Sequence, residues 1–267
     1  MTLPVVFTAN GPSGYNLTKS LRFRSSASAY LNRTPASAGN RKTWTLSTWV
    51  KRGKLSADTT ILSAGYSTNP WFVLQYVGSD NTLAVSATAG TSASWKTSAV
   101  FRDPSAWYHV VCVVDTTSST TTITNTSTDR IRLYVNNVQQ TLSGGTVPTQ
   151  NSDLQVNNTV SHTIGGYSSE YFDGYMTEIN FIDGQALTPS SFGSTNALTG
   201  VWQPAKYTGT YGTNGFYLPF TNITSTSTLG NDSSGNGNNF TTNNFSLTAG
   251  TTYDSMTDVP TLTSATT

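Results

Sequence analysis

The 267-residue chain is short of charge. Lys, Arg, Asp and Glu make up 10% of it, against about 25% in an ordinary soluble domain. Glutamate occurs only at Glu170 and Glu178. Without a good supply of Glu, Lys, Ala and Leu, a chain lacks the residues that build helical bundles and coiled coils. A formal net charge of +1 leaves no basic footprint for nucleic acid. No run of ~18 apolar residues is present, so no membrane insertion is expected. Met1–Tyr15 lacks the basic region and apolar stretch of a secretory signal. A single cysteine, Cys112, rules out an internal disulfide framework. It lies in Val110-Val111-Cys112-Val113-Val114, where a small buried hydrophobe is expected rather than a reactive thiol. Two histidines and one cysteine cannot form a standard zinc site without carboxylates.

What is present is apolar, aromatic and hydroxylated. Hydrophobic residues reach 36% and aromatics 11%, enough for a sizeable core and too many for a disordered chain. Ser and Thr together make up roughly 30%, well above usual composition. β-Branched and aromatic runs recur between Gly, Asn, Asp, Ser and Pro punctuation, the spacing of an all-β protein. Strands are expected near Ser20–Phe23, Thr43–Lys51, Thr60–Ala64, Trp71–Val77, Thr82–Ala87, Trp107–Asp115, Arg130–Val135, His162–Ile164 and Gly174–Ile182. Trp44 to Val50 alternates large apolar with small polar residues, predicting one buried and one wet face. Val110–Val114 is apolar throughout and is expected to be covered on both faces. Asn136-Asn137 tolerates positive φ and suits a tight hairpin. Ala186–Gly193 predicts one short helix or turn, with Thr188 as its cap and Pro189 at its first position.

Beyond Asn196 the pattern loosens. Gly215–Phe220 could form a strand, Leu229–Asn239 is turn-like, and the last ~25 residues are Thr-rich with scattered apolar anchors. Residues 1–195 are therefore read as one sandwich domain. Residues 196–267 are read as an extended arm or the start of a second β module.

Three ordered stretches resemble the laminin-G/pentraxin type of concanavalin A-like lectin/glucanase domain. The first is Ser20-Leu21-Arg22-Phe23 followed by Thr43–Lys51 with its Trp49-Val50-Lys51 ending. The second is Trp107-Tyr108-His109 leading to Asp115, then Arg132-Leu133-Tyr134-Val135-Asn136-Asn137. The third is Ile164-Gly165-Gly166, then Phe172–Phe181, closing at Ala186-Leu187-Thr188. The resemblance implies an all-β, two-sheet antiparallel jelly-roll sandwich, with His109 inside a buried strand. Thr177 stands where the family often has aspartate, which weakens any implied calcium site. Trp202–Tyr207, Tyr211–Leu218, Asp232–Phe240 and Tyr253–Thr261 are similar to segments of large virion proteins of tailed bacteriophages. There they often lead into more chain, so this chain could be a fragment.

Many proteins of this fold cleave glycans, and glycoside hydrolysis needs two carboxyl groups ~5–9 Å apart across the bond. No Glu-x-Asp-x-x-Glu cluster is present, no nucleophile-elbow motif occurs, and Glu178 is the only carboxylate across Gly174–Ile182. No catalytic residue is assigned and no enzyme is expected. No cofactor is expected beyond calcium, whose oxygen ligands Asp80, Asp115 and Asp173 could supply; the plainer reading makes them turn residues. For a glycan, the candidates are the loop aromatics Tyr66, Trp71, Trp95, Tyr167 and Tyr171 with Glu170, while Trp44, Trp49 and Trp107 are assigned to the core.

The resemblance implies a non-enzymatic phage virion surface protein: a tail fibre, head fibre or capsid decoration that adheres to host glycans. The alternatives are a purely architectural virion protein and, less favoured, a polysaccharide depolymerase. Expected partners are other virion proteins, host surface glycans and further copies of the same chain, but not nucleic acid.

Overall fold

The computed structural model describes residues 15–65, 71–89 and 91–260. Alternating and continuous apolar runs become strands: β1 (Ser20–Phe23), β2 (Tyr30–Arg33), β3 (Thr43–Arg52), β4 (Thr59–Ala64), β5 (Phe72–Tyr76), β6 (Thr82–Ala89), β7 (Thr91–Val100), β8 (Tyr108–Asp115) and β9 (Ile131–Val135). Then come β10 (Val138–Gln139), β11 (Leu142–Ser143), β12 (His162–Ile164) and β13 (Gly174–Asp183). The remainder adds β14 (Gly193–Thr195), β15 (Trp202–Pro204), β16 (Phe216–Leu218), β17 (Thr241–Asn243) and β18 (Ser255–Met256).

Two eight-stranded antiparallel sheets face each other, consistent with a concanavalin A-like jelly roll. Sheet A runs β10-β9-β8-β3-β13-β1-β18, with β16 also paired to β13. Sheet B runs β11-β7-β6-β5-β4-β12-β2-β17. Each edge ends in a strand of two or three residues. Asn136 and Asn137 both take positive φ, +50° and +68°, and form the expected β9–β10 hairpin turn.

The inner faces of both sheets make one contiguous core that includes Trp44, Leu46, Phe72, Trp95, Cys112, Phe172 and Phe181. Cys112 is fully buried, and burial pushes its thiol pKa up, so it packs as a small hydrophobe.

The outer face of β3 is not wet. Thr45, Ser47 and Trp49 are as buried as their inward neighbours, because residues 185–211 fold back over sheet A. The Thr45 hydroxyl donates to Gln185 O at 2.8 Å and accepts from Leu187 N–H at 2.9 Å. Val111, Val113 and Tyr134 pack with Ala186, covering the second face of Val110–Val114. His109 lies between Trp49 and Trp202, with ring centroids 4.8 and 5.9 Å away. Trp49 is thus buried, but outside the inter-sheet core. Trp107 is only half-buried; its Nε1 donates to Asp258 Oδ1 at 3.0 Å.

The segment after residue 195 does not stand beside the sandwich. β16 pairs with β13, β17 with β2 and β18 with β1, extending both sheets. Phe216, Leu218, Phe220, Leu229, Phe240 and Phe245 join the core. Asp254, with a fully buried side chain, receives Arg22 and Arg24 at 3.2 and 2.7 Å and Ser246 N–H at 2.8 Å. Lys51 reaches Asp258 at 2.7 Å. The expected turn near Pro189 is a 3-10 turn, Pro189–Ser191. Thr188 precedes it in extended conformation but makes no side-chain cap bond; its hydroxyl lies 2.8 Å from that of Ser190 instead.

Candidate functional site

In a chain with few charges, the carboxylates hold backbone. Every aspartate except Asp153 accepts a hydrogen bond, most often from a nearby N–H or hydroxyl. Asp80 accepts from the Thr82 hydroxyl at 2.7 Å and from Lys96 at 3.1 Å, and these contacts, the Thr82 hydroxyl first, hold its pKa down to about 2. Asp115 accepts from the Thr117 hydroxyl at 2.5 Å. Asp173 accepts from Ser25 N–H and hydroxyl at 3.1 and 2.7 Å. These three close separate turns. Among the described residues no group of three or more His, Cys, Asp and Glu is placed to hold a metal ion. The donor set therefore does not fit calcium at Asp80, Asp115 and Asp173.

Both histidines are consumed by structure. The Nδ1 of His109 accepts from Trp202 Nε1–H at 3.0 Å. Its Nε2 therefore carries the proton and donates to the Ser47 hydroxyl at 2.8 Å. A Ser–His pair is present, but an indole occupies the position a carboxylate would take in a triad, and burial lowers the His109 pKa to about 3. His162 Nε2 accepts from Asn157 N–H at 2.8 Å, and Nδ1–H donates to Val160 O at 2.8 Å. Burial holds its pKa near 4.

The glycan candidates divide. Tyr66 lies outside the described residues. Trp95 is 1% exposed, inside the core, and cannot serve as a surface platform. Trp71, Tyr167 and Tyr171 are half-buried and come together on the outer face of sheet B. Strand alternation places them there. Leu31 and Ile164 face the core, so their neighbours Tyr30, Asn32 and Thr163 face outward. The loop after β12 turns sharply at Gly165, where φ is +79° and a Cβ would fall 2.3 Å from the Phe23 ring. Only glycine fits there. Phe172 N–H to Gly165 O at 3.0 Å and Glu170 N–H to Tyr167 O at 2.8 Å then close the loop.

The result is a cleft of about 300 Å³ lined by Tyr30, Asn32, Ser161, Thr163, Gly166, Tyr167, Ser168 and Tyr171. Tyr30 and Tyr171 lie 6.0 Å apart, and Trp71 and Tyr167 lie 6.1 Å apart. Among the described residues, no charged side chain lines it. Asn32 Oδ1 accepts from Asn243 Nδ2 at 2.7 Å, which orients the Asn32 amide so that Nδ2 is left to donate. Thr163 is fixed by Ser63 and Gly166 O, both at 2.5 Å. Glu170 does not line this cleft; burial, with the Asp58 charge, raises its pKa. Tyr30 and Asn32 escape the sequence reading because β2, Tyr-Leu-Asn-Arg, buries a single residue, Leu31, and one core residue sets no period.

The two glutamates are not paired across a common cleft. Glu178 is on β13 beneath Tyr15 and Tyr217, each 2.6 Å from one of its oxygens, and lines a different cavity from the aromatic cleft.

Residues 25–191 match the family model of the concanavalin A-like lectin/glucanases superfamily, and the chain belongs to that family. No curated protein matches it. Among solved structures, it is similar to a Bacteroides ovatus protein described as a "putative carbohydrate binding protein". That match has 17% identity, a TM-score of 0.57, and covers 86% of this chain and 59% of that one. The chain thus spans less than two thirds of that relative. Domain 4 of the Geobacillus stearothermophilus arabinanase AbnA, solved with arabinotriose, is 22% identical over 57% of this chain and 65% of its own, with a TM-score of 0.42. A pentraxin of Limulus polyphemus is 15% identical over 64% and 78%, with a TM-score of 0.44.

Proposed function

We propose that the chain is a non-enzymatic glycan-binding module whose ligand seat is the cleft between Tyr30, Tyr167 and Tyr171. The observation that carries this reading is the lining: aromatic faces, one oriented amide and, among the described residues, no charged side chain. A sugar ring offers apolar C–H faces to such rings and hydroxyls to such an amide. The Bacteroides ovatus relative agrees in kind. The absence of a carboxylate pair facing this cleft among the described residues supports a binding role over cleavage. Because each seat is small and uncharged, binding is weak per copy and gains strength by multivalent display.

The setting we propose is the surface of a tailed-phage particle, as part of a tail fibre, head fibre or capsid decoration. It rests on the resemblance of Trp202–Tyr207, Tyr211–Leu218, Asp232–Phe240 and Tyr253–Thr261 to virion proteins. Residues 216–256 are occupied in holding the sandwich, so docking on neighbours falls to other surfaces.

The test is a glycan array probed with multimerised protein, followed by titration of the best ligand. Tyr167→Ala and Tyr171→Ala should each weaken binding about tenfold. An array silent at high multivalency would favour the architectural reading. Release of reducing ends from a polysaccharide would favour the depolymerase. Mass spectrometry of purified particles tests the setting, and absence of the chain from them would remove it.

A further inference from the structure

A second cleft lies on the opposite side of the sandwich, on the outer face of sheet A. Its floor is Glu178. Strand β13 shifts register against β3 between Thr177 and Asn180, and Glu178 takes φ +53°. Left-handed backbone is costly for such a residue and persists only where its surroundings impose it, commonly at functional sites. β16 pairs with β13 just beyond, Leu218 opposite Ile179. Phe216 and Leu218 enter the core, so Tyr217 faces outward over Glu178. Asn180 Oδ1 accepts from Tyr211 OH at 2.9 Å.

The cleft has a volume of about 540 Å³. Tyr211 stacks on Tyr217 at 6.4 Å and 21°, and Tyr207 meets Tyr211 edge-on at 5.1 Å. Lys19, Lys206 and Ser233 complete the lining that matters here. Glu178 is 5% exposed. The groups facing it are Tyr15, Tyr217 and Tyr211 with Lys206, while Asp232 sits behind, accepting Tyr217 N–H at 2.8 Å.

Three oxygen contacts close a ring here. Tyr15 OH and Tyr217 OH each lie 2.6 Å from a Glu178 oxygen, and the two phenol oxygens are 2.8 Å apart. Three such contacts need three protons, and two phenols supply only two. A third proton on Glu178, as a carboxylic acid, would complete the set. Burial acts in that direction by raising its pKa, with the two phenols and Lys206 opposing.

We propose that this cleft is a second, independent saccharide seat. The Tyr207, Tyr211 and Tyr217 rings hold one neutral sugar, and the closed Glu178–Tyr15–Tyr217 ring presents oxygen lone pairs to its hydroxyls. As pH rises through the Glu178 pKa the ring loses its third proton, and the two phenol oxygens face each other with none between them. Both phenols then donate to the carboxylate, the contact between them opens, and Tyr217 shifts against Tyr211, so that affinity falls with rising pH. The substitution Glu178→Gln would keep an N–H donor and a carbonyl acceptor without titrating.

The experiment titrates cellotriose, maltotriose, xylotriose and arabinotriose into the full chain by calorimetry and saturation-transfer NMR at pH 5 and pH 8. The proteins are wild type, Tyr167→Ala, Tyr211→Ala, Tyr217→Phe and Glu178→Gln. The expected result is a binding component weakened about tenfold by Tyr211→Ala, untouched by Tyr167→Ala, and weaker at pH 8. Glu178→Gln should retain that component and abolish its pH dependence. Tyr217→Phe, which keeps the ring face and deletes one hydroxyl, should weaken it and gives a second reading if Tyr211→Ala folds poorly. Binding lost entirely in Tyr167→Ala and unchanged in Tyr211→Ala and Tyr217→Phe overturns this second seat and leaves the first. The reverse pattern overturns the first seat alone. Silence of all four trisaccharides at both pH values overturns the second seat.

Discussion

Strand β3 buries seven consecutive residues, Trp44 to Val50, whereas the segment from Phe216 to Met256 enters the core by single aromatic and aliphatic anchors. Between Phe220 and Phe240, only Leu229 joins the core fully buried. The two regions also differ in what fixes them. β3 is held by long ladders to β8 and β13 on either side. The returning segment has strands of two or three residues and relies on carboxylate clamps: Asp183 on Asn214 N–H at 3.0 Å, Asp232 on Tyr217 and Ser234 N–H, each at 2.8 Å, and Asp254 on two arginines. Regular strands satisfy their own backbone; irregular chain must find other acceptors. The few acids of this protein are largely committed to that task.

The sharpest way to break the comparison is Phe216→Ala. Phe216 is 4% exposed and packs against Phe181 at 5.4 Å and Phe240 at 4.7 Å. If the returning segment is integral to the core, truncation should cost about 3–5 kcal/mol, like any buried phenylalanine. Denaturant unfolding should show one cooperative transition at a lower midpoint. A loss below about 1 kcal/mol, or an early separate transition, would return the segment to the status of an appendage.

Asp254→Ala addresses the clamps. Its side chain is fully buried, while Arg22 and Arg24 remain 22% and 21% exposed. Water can therefore take over part of what the arginines lose, and the cost should fall below that of breaking a fully buried pair, at about 2–3 kcal/mol. Hydrogen exchange should accelerate first between Ser246 and Met256 and in β1. Uniform acceleration across both sheets would show that the clamp is part of the global unit.

The same contrast explains what could be read from sequence. β3, β8, β9 and β13 were legible because their apolar residues recur at strand period or run without interruption. β7 was not: Thr91–Val100 is mostly Ser, Ala and Thr, with Lys96 beside its one tryptophan, so Trp95 resembled a loop aromatic when it is a core residue. The β17 and β18 pairings join residues more than 200 positions apart, which no local pattern encodes. At the cleft, Tyr167 and Tyr171 stood out as loop aromatics on either side of Glu170. Their partners Tyr30 and Asn32 arrive from another strand. The bulge at Glu178 is a break in alternation, and its neighbour Tyr217 is contributed by the segment whose packing was illegible.

The smallest expected effect falls where sequence suggested a cap. In a helix start, a threonine side chain accepting from a backbone N–H is worth about 1 kcal/mol. Thr188 has the extended backbone of a cap residue, but its hydroxyl meets the exposed Ser190 hydroxyl rather than an amide. The turn is held instead by backbone bonds, Ser191 N–H to Thr188 O at 3.1 Å and Phe192 N–H to Pro189 O at 2.9 Å, and by the Phe192 ring stacked on Tyr207 at 5.2 Å. Thr188→Ala should therefore change stability by less than about 0.5 kcal/mol, measured as a shift in denaturation midpoint at constant slope. A loss near 1 kcal/mol would mean that the hydroxyl caps the turn in solution, and that this turn, like the segment from Phe216 to Met256, is held by side-chain acceptors.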